Sequence, residues 1–162
     1  MSNLKQIEAC HIQQHEDGHF SVYSDIIINA SKKEVWDVLS DFKNMNQWSS
    51  TMINITGEIK DKGNIQSHFN FDGQIWVADH VLIYNEGEYF GWSDPLTGNF
   101  SGNKDNHLFK VEAISENVTR FIQTDEFTGE NASKHSLVLA RVAFDAYPKF
   151  NRELAERVMK NN

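Results

Sequence analysis

The stretch FSVYSDIIINASKKEVWDVLSD, residues 20–41, decides the fold. Its first half, Phe20–Asn29, is β-branched and roughly alternating, which reads as a strand. At Ser31 the pattern changes. Ser31 stands three residues before Glu34, the spacing at which a hydroxyl and a carboxylate satisfy free N–H groups at a helix start. Val35, Trp36, Val38 and Leu39 follow at helical spacing, so a short helix over 32–40 is predicted. A second helical or turn segment is expected around Phe42–Trp48.

Downstream, strand-like runs cover 51–60, 64–71, 75–85 and 88–93. Asp61-Lys62-Gly63, Asp72-Gly73 and Glu86-Gly87 separate them, short enough for antiparallel hairpins. A longer loop, Asp94 to Lys104, precedes two more strands at about 106–115 and 119–128. From Ser133 the composition becomes that of one long helix, about 40 Å over 133–160. Pro148 is expected to kink or break it, because proline lacks an N–H and clashes with the preceding turn. Strands in one antiparallel series with segregated helices give an α+β domain. Upstream, residues 1–18 read as an N-terminal extension with room for a short strand near Ile7–Ile12, and residues 19–162 as a single domain.

The composition narrows the function. The chain has 162 residues, 40% of them hydrophobic and 23% charged, neither disordered nor membrane-spanning in character. Its net charge of −8 argues against nucleic acid and against docking on anionic lipid. The opening residues show no apolar run, so no secretory leader is expected. One cysteine, Cys10, allows no internal disulfide, and a cytoplasmic location follows as the expectation.

The order of elements and several of their residues resemble the START-like or SRPBCC superfamily, in its polyketide cyclase/dehydrase and lipid-transport branch. The similar residues are Ile26 to Ser31, Glu34 to Asp41 and Trp48 at the start. Val81 to Trp92, ending Tyr89-Phe90-Gly91-Trp92, is similar to the central hairpin of that family. His107-Leu108-Phe109, Thr119-Arg120-Phe121 and Glu126-Phe127-Thr128-Gly129 resemble its last two strands. The resemblance implies a helix-grip fold. A curved antiparallel sheet of about seven strands would wrap around the C-terminal helix, with a ligand cavity between them. It also implies that Phe90 and Trp92 point inward.

Alternation along the last two strands selects the candidate site. Lys110 and Glu112 mark the solvent face, so His107, Phe109 and Val111 face inward. Phe121, Gln123, Asp125 and Phe127 share one face of the next strand. An inward Gln123 and Asp125 beside His107 would be polar groups in an apolar concavity, satisfied by a ligand, by water or by one another. On the long helix, Leu137, Ala140, Arg141 and Phe144 fall on one stripe, with Arg141 open to three roles: a bridge to Asp125, a contact to an acidic ligand head, or a solvated edge. The loop from Asp94 to Asn103, with Phe100 at its tip, is expected to gate the cavity near the first turn of that helix. Which face of Ile75–Tyr84 looks inward stays open, since both are apolar.

His15-Glu16-Asp17-Gly18-His19 matches the zinc-protease pattern H-E-x-x-H. That chemistry needs a helix, whereas Asp17-Gly18 is a turn signal, and no third ligand stands at an expected offset. No metal and no cofactor is therefore expected, although His11, His15 and His19 could catch a stray ion. No G-x-S-x-G, Walker loop or G-x-G-x-x-G occurs. The preferred expectation is a binder of a small hydrophobic molecule. A cyclase/dehydratase using His107 and Asp125 as acid and base is the alternative. A protein-interaction module of the chaperone-activator or toxin-like kind is a third, and would need an exposed patch.

Overall fold

The computed structural model describes residues 7–162, so residues 1–6 of the expected extension lie outside the described residues. In chain order the elements are β1 (Glu8–Gln14), β2 (Phe20–Ile28), α1 (Lys32–Leu39), β3 (Met52–Gly57), β4 (Asn64–Phe71), β5 (Gln74–Val81), β6 (Ile83–Asn85), β7 (Tyr89–Pro95), β8 (Lys104–Ser115), β9 (Val118–Thr128) and α2 (Ala132–Asn161). Short 3-10 turns cover Phe42–Gln47 and Gly98–Phe100. All strand pairs are antiparallel, in one six-stranded sheet ordered β1-β2-β9-β8-β7-β6 and one three-stranded sheet ordered β3-β4-β5. The α+β class with a large curved sheet and a long C-terminal helix is as the sequence indicated. No helix among the described residues is long and apolar enough to cross a membrane.

The capping box forms as read: the Ser31 hydroxyl accepts from the Glu34 N–H, and the Glu34 carboxylate accepts from the Ser31 N–H at 2.7 Å. Val35, Trp36 and Leu39 bury the inner face of α1 against the sheet. The strand count differs from the expected seven for two reasons. β1 pairs with β2 from Phe20 to Ile26 and extends the edge. The run 75–85 is interrupted at Leu82, whose buried side chain turns inward while its first half pairs β4 and its second half pairs β7. The strand ending in Trp92 runs on to Pro95, so the irregular loop is only 96–103. Gly91 lets β7 lie close on β8, since any side chain there would collide with the His107 carbonyl.

Pro148 does not break α2, which is continuous from Ala132 to Asn161. The carbonyl its missing N–H would have met is that of Phe144, and the Cys10 thiol on β1 donates to it at 3.9 Å. The face of α2 turned to the sheet carries Ser136, Ala140, Ala143, Tyr147, Phe150, Asn151 and Leu154. This corrects the expected stripe. Ala140 belongs to the buried face, but Leu137 is half-buried, and Arg141 and Phe144 are exposed, Phe144 at 40%. They sit about 100° round the helix from the true stripe.

Two apolar clusters fill the space between sheet and helices. The larger contains Ile26, Trp36, Leu39, Phe90, Trp92, Phe109, Phe121, Phe150 and Leu154. The smaller contains Val22, Phe127, Ala140, Ala143 and Tyr147. On the β4–β5 hairpin, by contrast, Phe71, Ile75, Trp76 and Val77 are exposed.

Candidate functional site

A seam of hydrogen-bonded polar side chains separates the two apolar clusters. It arises from alternation on β9, where Phe121, Gln123, Asp125 and Phe127 all point inward and are all buried. Phe121 belongs to the larger cluster and Phe127 to the smaller, so Gln123 and Asp125 stand between them. His107 on β8 lies directly opposite Asp125, and Phe109 directly opposite Gln123.

The seam is continuous. Gln123 Oε1 lies 3.0 Å from His107 Nε2, and Gln123 Nε2 donates to Asn151 Oδ1 at 2.7 Å. Asn151 Nδ2 donates in turn to Ser24 Oγ at 3.0 Å. With Gln123 Oε1 accepting, the network assigns the His107 proton to Nε2 and leaves Nδ1 as an acceptor facing the Tyr147 hydroxyl at 3.3 Å. That hydroxyl donates to Asp125 Oδ2 at 2.5 Å. Trp92 Nε1 donates to Asp105 Oδ2 at 3.0 Å. The other oxygens, Asp105 Oδ1 and Asp125 Oδ1, are buried and meet no N–H or O–H. The Asp105 carboxyl is a close neighbour of Asp125.

Burial sets the charge states. It pushes His107 down to about 4, so the imidazole is neutral near pH 7. Burial, then the neighbouring Asp105 charge and hydrogen bond, holds the Asp125 carboxyl well above the usual carboxylate range. Burial likewise raises the Tyr147 hydroxyl. His107 Nδ1 and Asp125 Oδ2 lie 3.8 Å apart, and burial disfavours the charged form of each. A neutral base and a protonated acid thus share one buried cluster.

Phe90 and Phe109 stack at 4.5 Å, and Trp92 meets His107 edge-on at 5.2 Å. Together with Val111 and Phe121, these inward residues pack on Phe150 from α2, in the region where a cavity was expected. The two open clefts described lie elsewhere. One, of about 680 Å³, sits where the three-stranded sheet parts from β7, lined by Ile65, Gln66, Asp79, His80, Val81 and Asp94. The other, of about 460 Å³, lies between the 40–43 turn and β3.

His80, Tyr147 and Asn151 are functional candidates that sequence reasoning missed. His80 settles the open question on 75–84: its face, with Leu82, is the inward one. Its ring stacks on Trp92 at 4.2 Å, with Nδ1 at 3.1 Å from Asp94 Oδ2 and Nε2 at 3.0 Å from Ser67 Oγ. The order Ser67–His80–Asp94 is that of a nucleophilic triad, but Ser67 is 0% exposed, so substrate cannot reach its oxygen. The arrangement clamps β4, β5 and β7 together. Tyr147 and Asn151 had a signal in the sequence, the i, i+4 spacing that continues from Ala140 and Ala143.

The loop 96–103 rests on the start of α2. Phe100 packs edge-on against His135 at 5.8 Å, Asn131 Nδ2 donates to the Ser101 carbonyl at 2.9 Å, and Asn103 Nδ2 lies 2.9 Å from His135 Nδ1. At the other side of that helix start, His15 and His19 flank the β1–β2 turn.

The sequence model of a family described as polyketide cyclase / dehydrase and lipid transport matches residues 19–159. No curated protein sequence matches the chain. Among solved structures, the chain is similar to the ZhuI aromatase/cyclase from Streptomyces sp. R1128, with a TM-score of 0.71 at 12% identity, covering 93% of this chain and 95% of that one. It is also similar to a START superfamily protein from Mycobacterium smegmatis, with a TM-score of 0.68 at 16% identity, covering 90% and 100%. Human STARD10 gives a TM-score of 0.64 at 8% identity, covering 94% and 69%. Identities this low speak for the fold alone.

Proposed function

The chain belongs to the polyketide cyclase/dehydrase and lipid transport family, and from that premise we propose that it binds a small, mainly hydrophobic molecule bearing an oxygen function, between its sheet and α2. The observation that carries this reading is the ionisable set His107, Asp125 and Tyr147, held uncharged in a core of aromatic rings. Burying such groups costs free energy that an all-apolar core avoids, and polar groups converging in an apolar interior suit a ligand's polar end. Phe90, Trp92, Phe109 and Phe121 supply the apolar walls, and Gln123 a further amide. The cleft at His80 offers the approach, because His80 stacks directly on Trp92. Binding then requires the ring cluster to part. The loop 96–103 with Phe100 is the gate in this reading, and residues 19–162 are the binding unit. The lone Cys10 suits a reducing, cytoplasmic location.

Native mass spectrometry of the purified chain is expected to retain an apolar molecule at one per chain. Solvent extraction that yields none, with no adduct in the native spectrum, overturns the reading. Hydrogen exchange then tests the gate. Slower exchange at 96–102 in the loaded chain is expected, and equal exchange removes that role.

A second reading is a cyclase or dehydratase in the same place, favoured by the pairing of a protonated Asp125 with a neutral His107 whose Nδ1 is an acceptor. Such a pair can donate one proton and remove another. Unchanged turnover of a poly-β-ketone by a His107→Ala variant would remove it.

A further inference from the structure

We propose that His15, His19 and Glu126 form a binding site for one divalent transition-metal ion of the zinc type. The site is separate from the polar seam and does not rest on the reading above. In the zinc-protease pattern a helix brings the two histidines to one face. Here a hairpin does so. His15 and His19 close the β1–β2 turn, with the His15 N–H donating to the His19 carbonyl and the Gly18 N–H to the His15 carbonyl, both at 2.9 Å. Gly18 takes the left-handed conformation (φ 86°) that this turn requires. The two imidazoles stack face to face, with ring centroids 4.2 Å apart and planes 6° from parallel.

The third ligand, which no sequence offset could show, comes from β9. Ser21 lies directly opposite Glu126 in the β2–β9 register. His15 Nε2 lies 2.8 Å from Ser21 Oγ, and His19 Nε2 lies 2.7 Å from Glu126 Oε1. One ligand atom from each of His15, His19 and Glu126 lies within 4.8 Å of the others. His19 Nδ1 is hydrogen-bonded to the Asp17 carboxylate. That is the outer-shell contact which fixes the tautomer of a ligating imidazole and raises its basicity, leaving Nε2 for the ion.

Two imidazoles and a carboxylate select zinc, cobalt, nickel or copper over calcium or magnesium, which want oxygen. Glu126 is half exposed, so a fourth position stays open to water. A ligating imidazole must be unprotonated, so binding weakens as pH falls. Glu16 is exposed on the turn. The ion's role is therefore to clamp: it ties the hairpin to β9 beside the start of α2, where the Phe20 N–H donates to Ser136 Oγ at 2.9 Å.

The test titrates Zn²⁺ and Co²⁺ into the chelator-stripped full chain, with Mg²⁺ as control, read by calorimetry, cobalt absorption and thermal shift. One equivalent of Zn²⁺ is expected to bind and raise the melting temperature, weakening as pH falls. Asp17→Asn should reduce affinity about tenfold, and His15→Gln or Glu126→Gln by more. His15 is only partly buried, so His15→Gln remains folded by circular dichroism even where a His19 variant does not. No saturable binding, or binding undiminished in His15→Gln, overturns the proposal.

Discussion

Replacing Asp125 with Asn isolates the protonated carboxyl at the centre of the seam. The amide keeps the shape: its oxygen still accepts from Tyr147, and its N–H replaces the acid proton offered to Asp105. In the wild type the folded carboxyl sits well above its ordinary value of 3.8, so above that pH the unfolded chain releases a proton that the folded chain keeps. The stability this group contributes is complete below 3.8 and is lost as pH rises, at up to about 1.4 kcal/mol per pH unit, until the folded carboxyl itself ionises. His107 acts in the opposite sense. It is depressed from 6.5 to about 4, so its contribution is complete above 6.5 and falls by about 3 kcal/mol as pH drops to 4. Between 4 and 6.5 the two slopes oppose one another, and the wild type is nearly flat from this pair. The Asp125→Asn variant keeps only the His107 slope, so its stability rises over that window and then levels. Urea unfolding of both chains as pH rises from about 4 should show the difference moving in favour of the variant until the folded wild-type carboxyl ionises. A difference that does not change with pH would mean that Asp125 is ionised when folded, and the reasoning fails.

Other outcomes follow from the same geometry. Gln123→Leu strands the His107 Nε2–H and the Asn151 Oδ1, at about 1–3 kcal/mol each, a loss to be read from the urea midpoint. Adding Asn151→Leu should cost less than the sum of the two single changes, because it removes one of those stranded groups. Ser31→Ala removes the capping box and should cost about 1 kcal/mol with an unchanged denaturant slope. Burial, then Glu8 and Asp145, raises the Cys10 thiol to about 11, so a disulfide reagent at neutral pH should label the native chain slowly and the urea-unfolded chain quickly.

The seam was legible on the strands and illegible on the helix, for a physical reason. On β8 and β9 the charged Lys110 and Glu112 mark water, so period-two alternation places His107, Gln123 and Asp125 without ambiguity. On α2, Val138, Val142 and Phe144 are apolar and exposed, so the hydrophobic pattern has no single stripe, and the i, i+4 spacing through Tyr147 and Asn151 does not stand out from it. The strand break at Leu82 could not be read either, because Ile75, Trp76 and Val77 are apolar on both faces and exposed. Glu126 is invisible as a partner of His19 for a different reason: only the β2–β9 register brings it there.

Pro148 sits between Tyr147 and Asn151, at the level where the seam divides the core. There α2 lacks an amide, and the freed carbonyl has only a thiol to meet it. Beyond that point Phe150, Leu154, Ala155 and Val158 anchor the helix in the larger cluster, whereas the preceding turns rest on Ala140 and Ala143 in the smaller one. The helix is thus one rod with two grips of unequal size, and its first half is expected to open at lower free energy than its second. The loop carrying Phe100 and the hairpin carrying His15 and His19 both lean on that weaker half. An ion that steadies the hairpin and a ligand that closes the loop would therefore draw on one opening equilibrium, each making the other's site easier to order.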